Sequence, residues 1–243
     1  MENVFPHIRT RDLVAFALIL LMLGMSASFG IASQDERKST SLEDETPLLL
    51  THSTITDIGF SADSIYTNTT IAAGTYNGCA ILENQSMVCW GDNEYGQLGD
   101  GTTTGSAVPI YVNVAANETP VEVTVGQVTA CALMESGNIY CWGSGYYGKM
   151  GNGEPWNDDY VNTEMRQVLL PEGQGGQTVS ISGGHICTIL DNGDVYCWGR
   201  GNQGQLGYGG TSNRNIPTKV NLPGQRSAIA ISTGTFMTCA ITT

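Results

Sequence analysis

From residue 71 to the last residue, short apolar stretches alternate with polar, glycine-bearing turns. Ala130-Cys131-Ala132-Leu133-Met134 gives way to Glu135-Ser136-Gly137-Asn138 and resumes as Ile139-Tyr140-Cys141-Trp142. A second instance breaks at Asp191-Asn192-Gly193-Asp194 and resumes as Val195-Tyr196-Cys197-Trp198. Asn-Gly and Ser-Gly pairs supply the positive φ of tight turns, and the returning segments are rich in aromatic and β-branched residues, so each instance predicts a β-hairpin.

The pattern recurs with a long period. The copies begin at Ile71, Val123 and Val179, and a fourth begins at Ile231 and stops with the chain. Their first cysteines, Cys79, Cys131, Cys187 and Cys239, lie 52, 56 and 52 residues apart. The repeats are therefore 71–122, 123–178 and 179–230, with a partial copy 231–243, inside a folded region assigned to 55–243. A unit of about fifty residues holds about four strands but cannot bury its faces alone. Radial stacking of such sheets makes a propeller.

A different pattern precedes the repeats. Residues 13–25 (LVAFALILLMLGM) are an uninterrupted apolar run, with Arg9 and Arg11 before it and small residues after it. The segment 1–33 reads as a signal peptide, with Gly30-Ile31-Ala32 as its cleavage region, or as an uncleaved N-terminal membrane anchor. Either way the later residues are expected outside the cytoplasm. Residues 34–54 are polar and read as a flexible stalk. The expected fold class is all-β, a partial β-propeller of about three complete repeats plus a stump, behind an N-terminal hydrophobic helix.

Each complete copy carries a Trp-Gly strand end and a glycine-bounded turn: Cys89-Trp90-Gly91 with Gly96-Gln97-Leu98-Gly99, Cys141-Trp142-Gly143 with Gly148-Lys149-Met150-Gly151, and Tyr196-Cys197-Trp198-Gly199 with Gly204-Gln205-Leu206-Gly207. This resembles the signature of the regulator of chromosome condensation repeat family. His185 falls where the family usually has a histidine, while Asn77, Thr129 and Met237 take that place in the other copies. The resemblance covers 71–243 and implies a propeller. The family's propellers have seven blades, so three copies and a stump cannot close one. A sequence cut short is the preferred explanation, with an open array or closure by assembly as the alternatives.

Composition adds three things. Glycine is abundant at 31 residues and charged residues are only 14%, as expected of short strands joined by turns. The net charge is −13 and no basic patch is present, which argues against nucleic acid and leaves the N-terminal segment, if uncleaved, as the only membrane contact. The seven cysteines of an exported chain read as disulfide chemistry. Cys79 with Cys89, Cys131 with Cys141 and Cys187 with Cys197 share one spacing across one hairpin, which singles out these pairs. Cys239 is expected unpaired beside an open strand edge, since a partner at the repeated spacing would fall beyond Thr243.

Catalytic and cofactor chemistry find little support. Residues 143–148 and 199–204 match Gly-x-Gly-x-x-Gly, but both lie at a turn of a β repeat rather than at a helix start, so no cofactor is assigned. His185 occupies a repeat position and reads as a structural residue rather than a base. Trp90, Trp142 and Trp198 read as core. The second repeat is longer than its neighbours, and the surplus holds Trp156, Asp158, Asp159 and Tyr160. This is a partner-binding loop or a merely solvated one. Asn68, Asn84 and Asn117 begin glycosylation sequons. The leading expectation is a non-catalytic, extracytoplasmic protein-interaction scaffold whose partner, a protein or surface ligand, is not specified by the sequence. Guanine-nucleotide exchange on a small GTPase, implied by the resemblance alone, and a secreted hydrolase are the alternatives.

Overall fold

A computed structural model describes residues 71–155 and 160–243. The expected leader, its hydrophobic helix, the stalk and residues 55–70 lie outside the described residues.

Three antiparallel four-stranded sheets and one two-stranded sheet follow one another along the chain. The first contains β1 (Ile71–Ala73), β2 (Asn77–Ile81), β3 (Met87–Gly91) and β4 (Ser106–Tyr111). The second contains β5 (Pro120–Val125), β6 (Thr129–Met134), β7 (Ile139–Ser144) and β8 (Val161–Gln167). The third contains β9 (Gly176–Ile181), β10 (His185–Leu190), β11 (Val195–Gly199) and β12 (Arg214–Lys219), and β13 (Ala228–Thr233) pairs with β14 (Thr238–Thr242). Strands pair in chain order within every sheet. No α-helix occurs among the described residues. The first strands of successive sheets touch one another, as inner strands of neighbouring propeller blades do.

The hairpins set the register. Leu133 lies opposite Ile139 and Cys131 opposite Cys141, and the other two complete copies repeat that arrangement. Disulfides join Cys79 to Cys89, Cys131 to Cys141 and Cys187 to Cys197, each across Cα atoms 4.1 Å apart. Non-hydrogen-bonded antiparallel pairs bring opposed residues about this close, so the strands place the sulfurs together.

The core lies between adjacent sheets rather than within one. Met87, Leu98 and Val112 of the first copy pack on Val123, Ala130, Ala132 and Trp142 of the second. Leu133, Ile139 and Met150 of the second pack likewise on Val179, Ile186 and Trp198 of the third. The tryptophan is the joint. Trp142 Nε1 donates to the Gln97 carbonyl at 2.9 Å and Trp198 Nε1 to the Lys149 carbonyl at 2.8 Å, so each ring covers the turn of the preceding copy. Gly99 is the residue such a joint requires: its φ is +67°, and a Cβ there would lie 2.9 Å from Trp142 Nε1. Trp142 and Trp198 are fully buried. Trp90 is only half-buried, a correction to its reading as core, because no preceding turn lies over it among the described residues.

At β14 the pattern is open. In the complete copies the strand at this position pairs on both edges, whereas β14 pairs only with β13 among the described residues. Phe236, Met237 and Ile241 are exposed beside it, and Cys239 is an exposed free thiol.

Candidate functional site: a cleft on the turn face

Alternating strand directions divide the connections between two faces. The turns after the first strand of each copy and the long loops after the third share one, here the turn face. The tight hairpins and the links between copies share the other, here the hairpin face. Asn84 and Asn117 are exposed on the hairpin face, Asn84 in the hairpin after β2 and Asn117 in the link after β4. Asn68 lies outside the described residues.

The loops of the turn face are built by one device with one exception. Gln97 accepts from the Tyr95 amide through Oε1 at 2.8 Å and donates through Nε2 to Asp92 at 2.9 Å. Gln205 accepts likewise from the Gln203 amide at 2.9 Å. The second copy has Lys149 at this position, and an ammonium has no acceptor to offer. Tyr147, which matches Tyr95 and Gln203, adopts φ +66°, a left-handed conformation unfavourable for an aromatic residue. Lys149 is 3% exposed and has no hydrogen bond or ion pair among the described residues. Burial alone lowers its pKa from 10.5 to about 8.

Lys149 lines a cleft of about 540 Å³ assembled from all four copies. Tyr95 comes from the first, Ser144, Tyr146 and Tyr147 from the second, Gly184 and Arg200 from the third, and Thr235 from the fourth. The Arg200 guanidinium lies 5.2 Å from the Tyr147 ring centroid and 5.4 Å from that of Phe236, within cation–π range of both. Its Nε donates to Asn202 at 2.8 Å. Gly184 makes room for it, since a Cβ there would meet the Arg200 side chain at 3.2 Å. The positions matching Gly184 hold Tyr76, Val128 and Phe236, so this copy alone leaves its turn without a side chain there.

The residues singled out by sequence fall elsewhere. Tyr160 is half-buried; its hydroxyl donates to Glu154, and its ring occupies the space a Cβ on Gly145 would need. Trp156, Asp158 and Asp159 lie outside the described residues. His185 is fully buried, with Nε2 paired to Thr238 Oγ1 at 2.8 Å and Nδ1 to Ser182 Oγ at 3.3 Å. Burial depresses its pKa to about 4, so it is neutral at pH 7 and ties β10 to β14. The two Gly-x-Gly-x-x-Gly segments run from strand ends into loops, and the helical piece within them, Tyr146–Gly148, is a single 3₁₀ turn. Among the described residues no group of three or more His, Cys, Asp or Glu is placed to hold a metal ion. Lys149 and Arg200 were not singled out by sequence reasoning; the available signal was a lysine where the other copies carry glutamine.

Models of the regulator of chromosome condensation (RCC1) repeat match residues 88–133 and 192–241, and 69–97, 121–149 and 177–205. The ultraviolet-B receptor UVR8 of Arabidopsis thaliana is 29% identical over 71% of this chain and 38% of its own length. Human E3 ubiquitin-protein ligase HERC2 is 32% identical over 61% of this chain and 3% of its own length. Human WBSCR16 shares the fold at a TM-score of 0.62 and 18% identity, covering 71% of this chain and 44% of that one. Prp20p of Saccharomyces cerevisiae does so at 0.60 and 18%, covering 74% and 44%. The chain thus matches less than half the length of each of these proteins. With repeat models aligned across all three complete copies and the partial fourth, and with sheets that stack as theirs do, the chain belongs to the regulator of chromosome condensation repeat family.

Proposed function

We propose that this protein is a non-catalytic, extracytoplasmic interaction scaffold that presents the turn face to another protein. The observation that carries the reading is the composition of that face, where tyrosines, Arg200 and a recessed cleft converge from four copies. Aromatic residues and arginine are the side chains that dominate protein–protein binding energy. The exposed sequons Asn84 and Asn117 lie on the opposite face, so glycans there would leave the turn face clear. The apolar run at 13–25 and three hairpin disulfides support export.

Thiol labelling of fractionated cells tests the location. In the extracytoplasmic fraction, six cysteines should resist maleimide until reduced. A cytoplasmic protein with all of these thiols reactive would sink the reading. Guanine-nucleotide exchange on a small GTPase is the second reading and rests on the family alone. Accelerated nucleotide release from a GTPase of the same compartment would revive it.

A further inference from the structure

We infer that the turn-face cleft is a receptor for an acidic side chain, taking the carboxylate of a glutamate or aspartate in an exposed peptide segment of a partner. This rests on the scaffold reading and specifies the partner's chemistry.

Three observations point to an anion. Lys149 is buried and lines the cleft, and its ammonium has no hydrogen bond or ion pair among the described residues. A buried charge is normally paired, and an unpaired one is a standing penalty that a ligand of opposite sign relieves. Among the described residues the only charged ones lining the cleft are Lys149 and Arg200, both cationic, in a chain of net charge −13. Arg200 lines the cleft with its guanidinium between Tyr147 and Phe236 and its Nε committed to Asn202, so the cation is already positioned there.

Two further observations favour a peptide over a free oxyanion. At about 540 Å³ the cleft is far larger than one ion needs. Its walls of Tyr95, Tyr146, Tyr147 and Val128 offer aromatic and apolar area that a side-chain stem and its neighbours cover and an inorganic ion does not.

The substitution that tests this is Lys149→Gln, because Gln97 and Gln205 already occupy the matching positions and the fold accommodates them. Gly184→Phe closes the cleft by a second route. The full chain, immobilised from detergent, is offered two degenerate acetylated peptide pools, X-X-Glu-X-X and X-X-Gln-X-X, with X uncharged. Wild type should retain the Glu pool about tenfold over the Gln pool, as a charge-assisted hydrogen bond allows. Both variants should bring the ratio to parity. A Glu preference that survives Lys149→Gln overturns the inference. So does loss of that preference in millimolar inorganic phosphate, but not in sodium chloride of equal ionic strength, since the cleft would then take a free oxyanion. Equal retention of both pools sinks the acid selectivity and leaves the scaffold reading standing. Retention of neither pool sinks the inference, while thiol labelling decides the scaffold reading separately.

Discussion

Replacing Lys149 by glutamine should stabilise this protein, and by an amount that depends on pH. The buried ammonium has its pKa lowered from 10.5 to about 8. An unfolded chain therefore binds the proton more tightly than the folded one, and stability rises with pH between those values. The penalty is fully present below about pH 8 and disappears as pH climbs past 10.5. Its size is about 3 kcal/mol at pH 7 and about 1 kcal/mol at pH 10. Glutamine also restores the side-chain acceptor that Tyr95 and Gln203 enjoy and Tyr147 lacks, and release of Tyr147 from φ +66° adds about 1 kcal/mol. Urea unfolding followed by tryptophan fluorescence should show a higher midpoint for Lys149→Gln at pH 7 with an unchanged slope, and a smaller gain at pH 10. A variant no more stable than wild type at pH 7, or a gain that does not shrink at pH 10, would refute the claim that Lys149 is charged and unpaired.

Glu122 offers the same reasoning with the opposite sign. It is buried on β5, it accepts from Thr178 Oγ1 through Oε1 while Oε2 has no partner, and burial raises its pKa from 4.5 to about 7. The stability it permits is present below pH 4.5 and lost as pH rises through 7, so Glu122→Gln should gain up to about 3 kcal/mol at pH 8 and about 1 kcal/mol at pH 5 in the same urea assay. Gln85 adopts φ +65° in a hairpin turn where the other copies place Gly137 and Gly193, so Gln85→Gly should raise the urea midpoint by up to about 1 kcal/mol of stability. Of the seven cysteines, only Cys239 should react with iodoacetamide in the native, unreduced protein, and Cys239→Ser should abolish any disulfide-linked dimer on nonreducing gels.

The repeat explains which features the sequence disclosed. A hairpin is local, and a spacing found three times fixes its register, which is why the Cys131–Cys141 arrangement is readable without coordinates. The tryptophans show where locality ends. Their positions are equivalent along the chain, but Trp142 and Trp198 are sealed by the turn of the preceding copy, whereas Trp90 is half-buried, with no such turn over it among the described residues. Tyr160 marks another boundary. Its place in a polar insertion suggests exposure, yet its ring packs on the backbone at Gly145, a contact the pattern of the insertion does not encode.

The cleft depends on departures from the repeat rather than on the repeat itself. Lysine replaces glutamine at 149, glycine replaces a larger residue at 184, and arginine stands at 200 where the other copies have Asp92 and Ser144. Taken singly, each substitution is an ordinary difference between copies. Only stacking of the second sheet on the third brings them together, because the Lys149 carbonyl is the acceptor for Trp198 and the Lys149 side chain packs beneath Gly199. The joint that seals the core thus also covers the Lys149 side-chain stem, and it leaves the cleft as the open side on which an anion can meet the ammonium. One of the three departures, lysine at 149, lowers stability on two physical grounds: the unpaired side chain through desolvation, and the lost glutamine acceptor through strain at Tyr147. Both costs fall on one loop of the turn face, and a scaffold that keeps such a residue beside Gly184 and Arg200 in one recess has the arrangement expected of a binding site maintained at the expense of the fold.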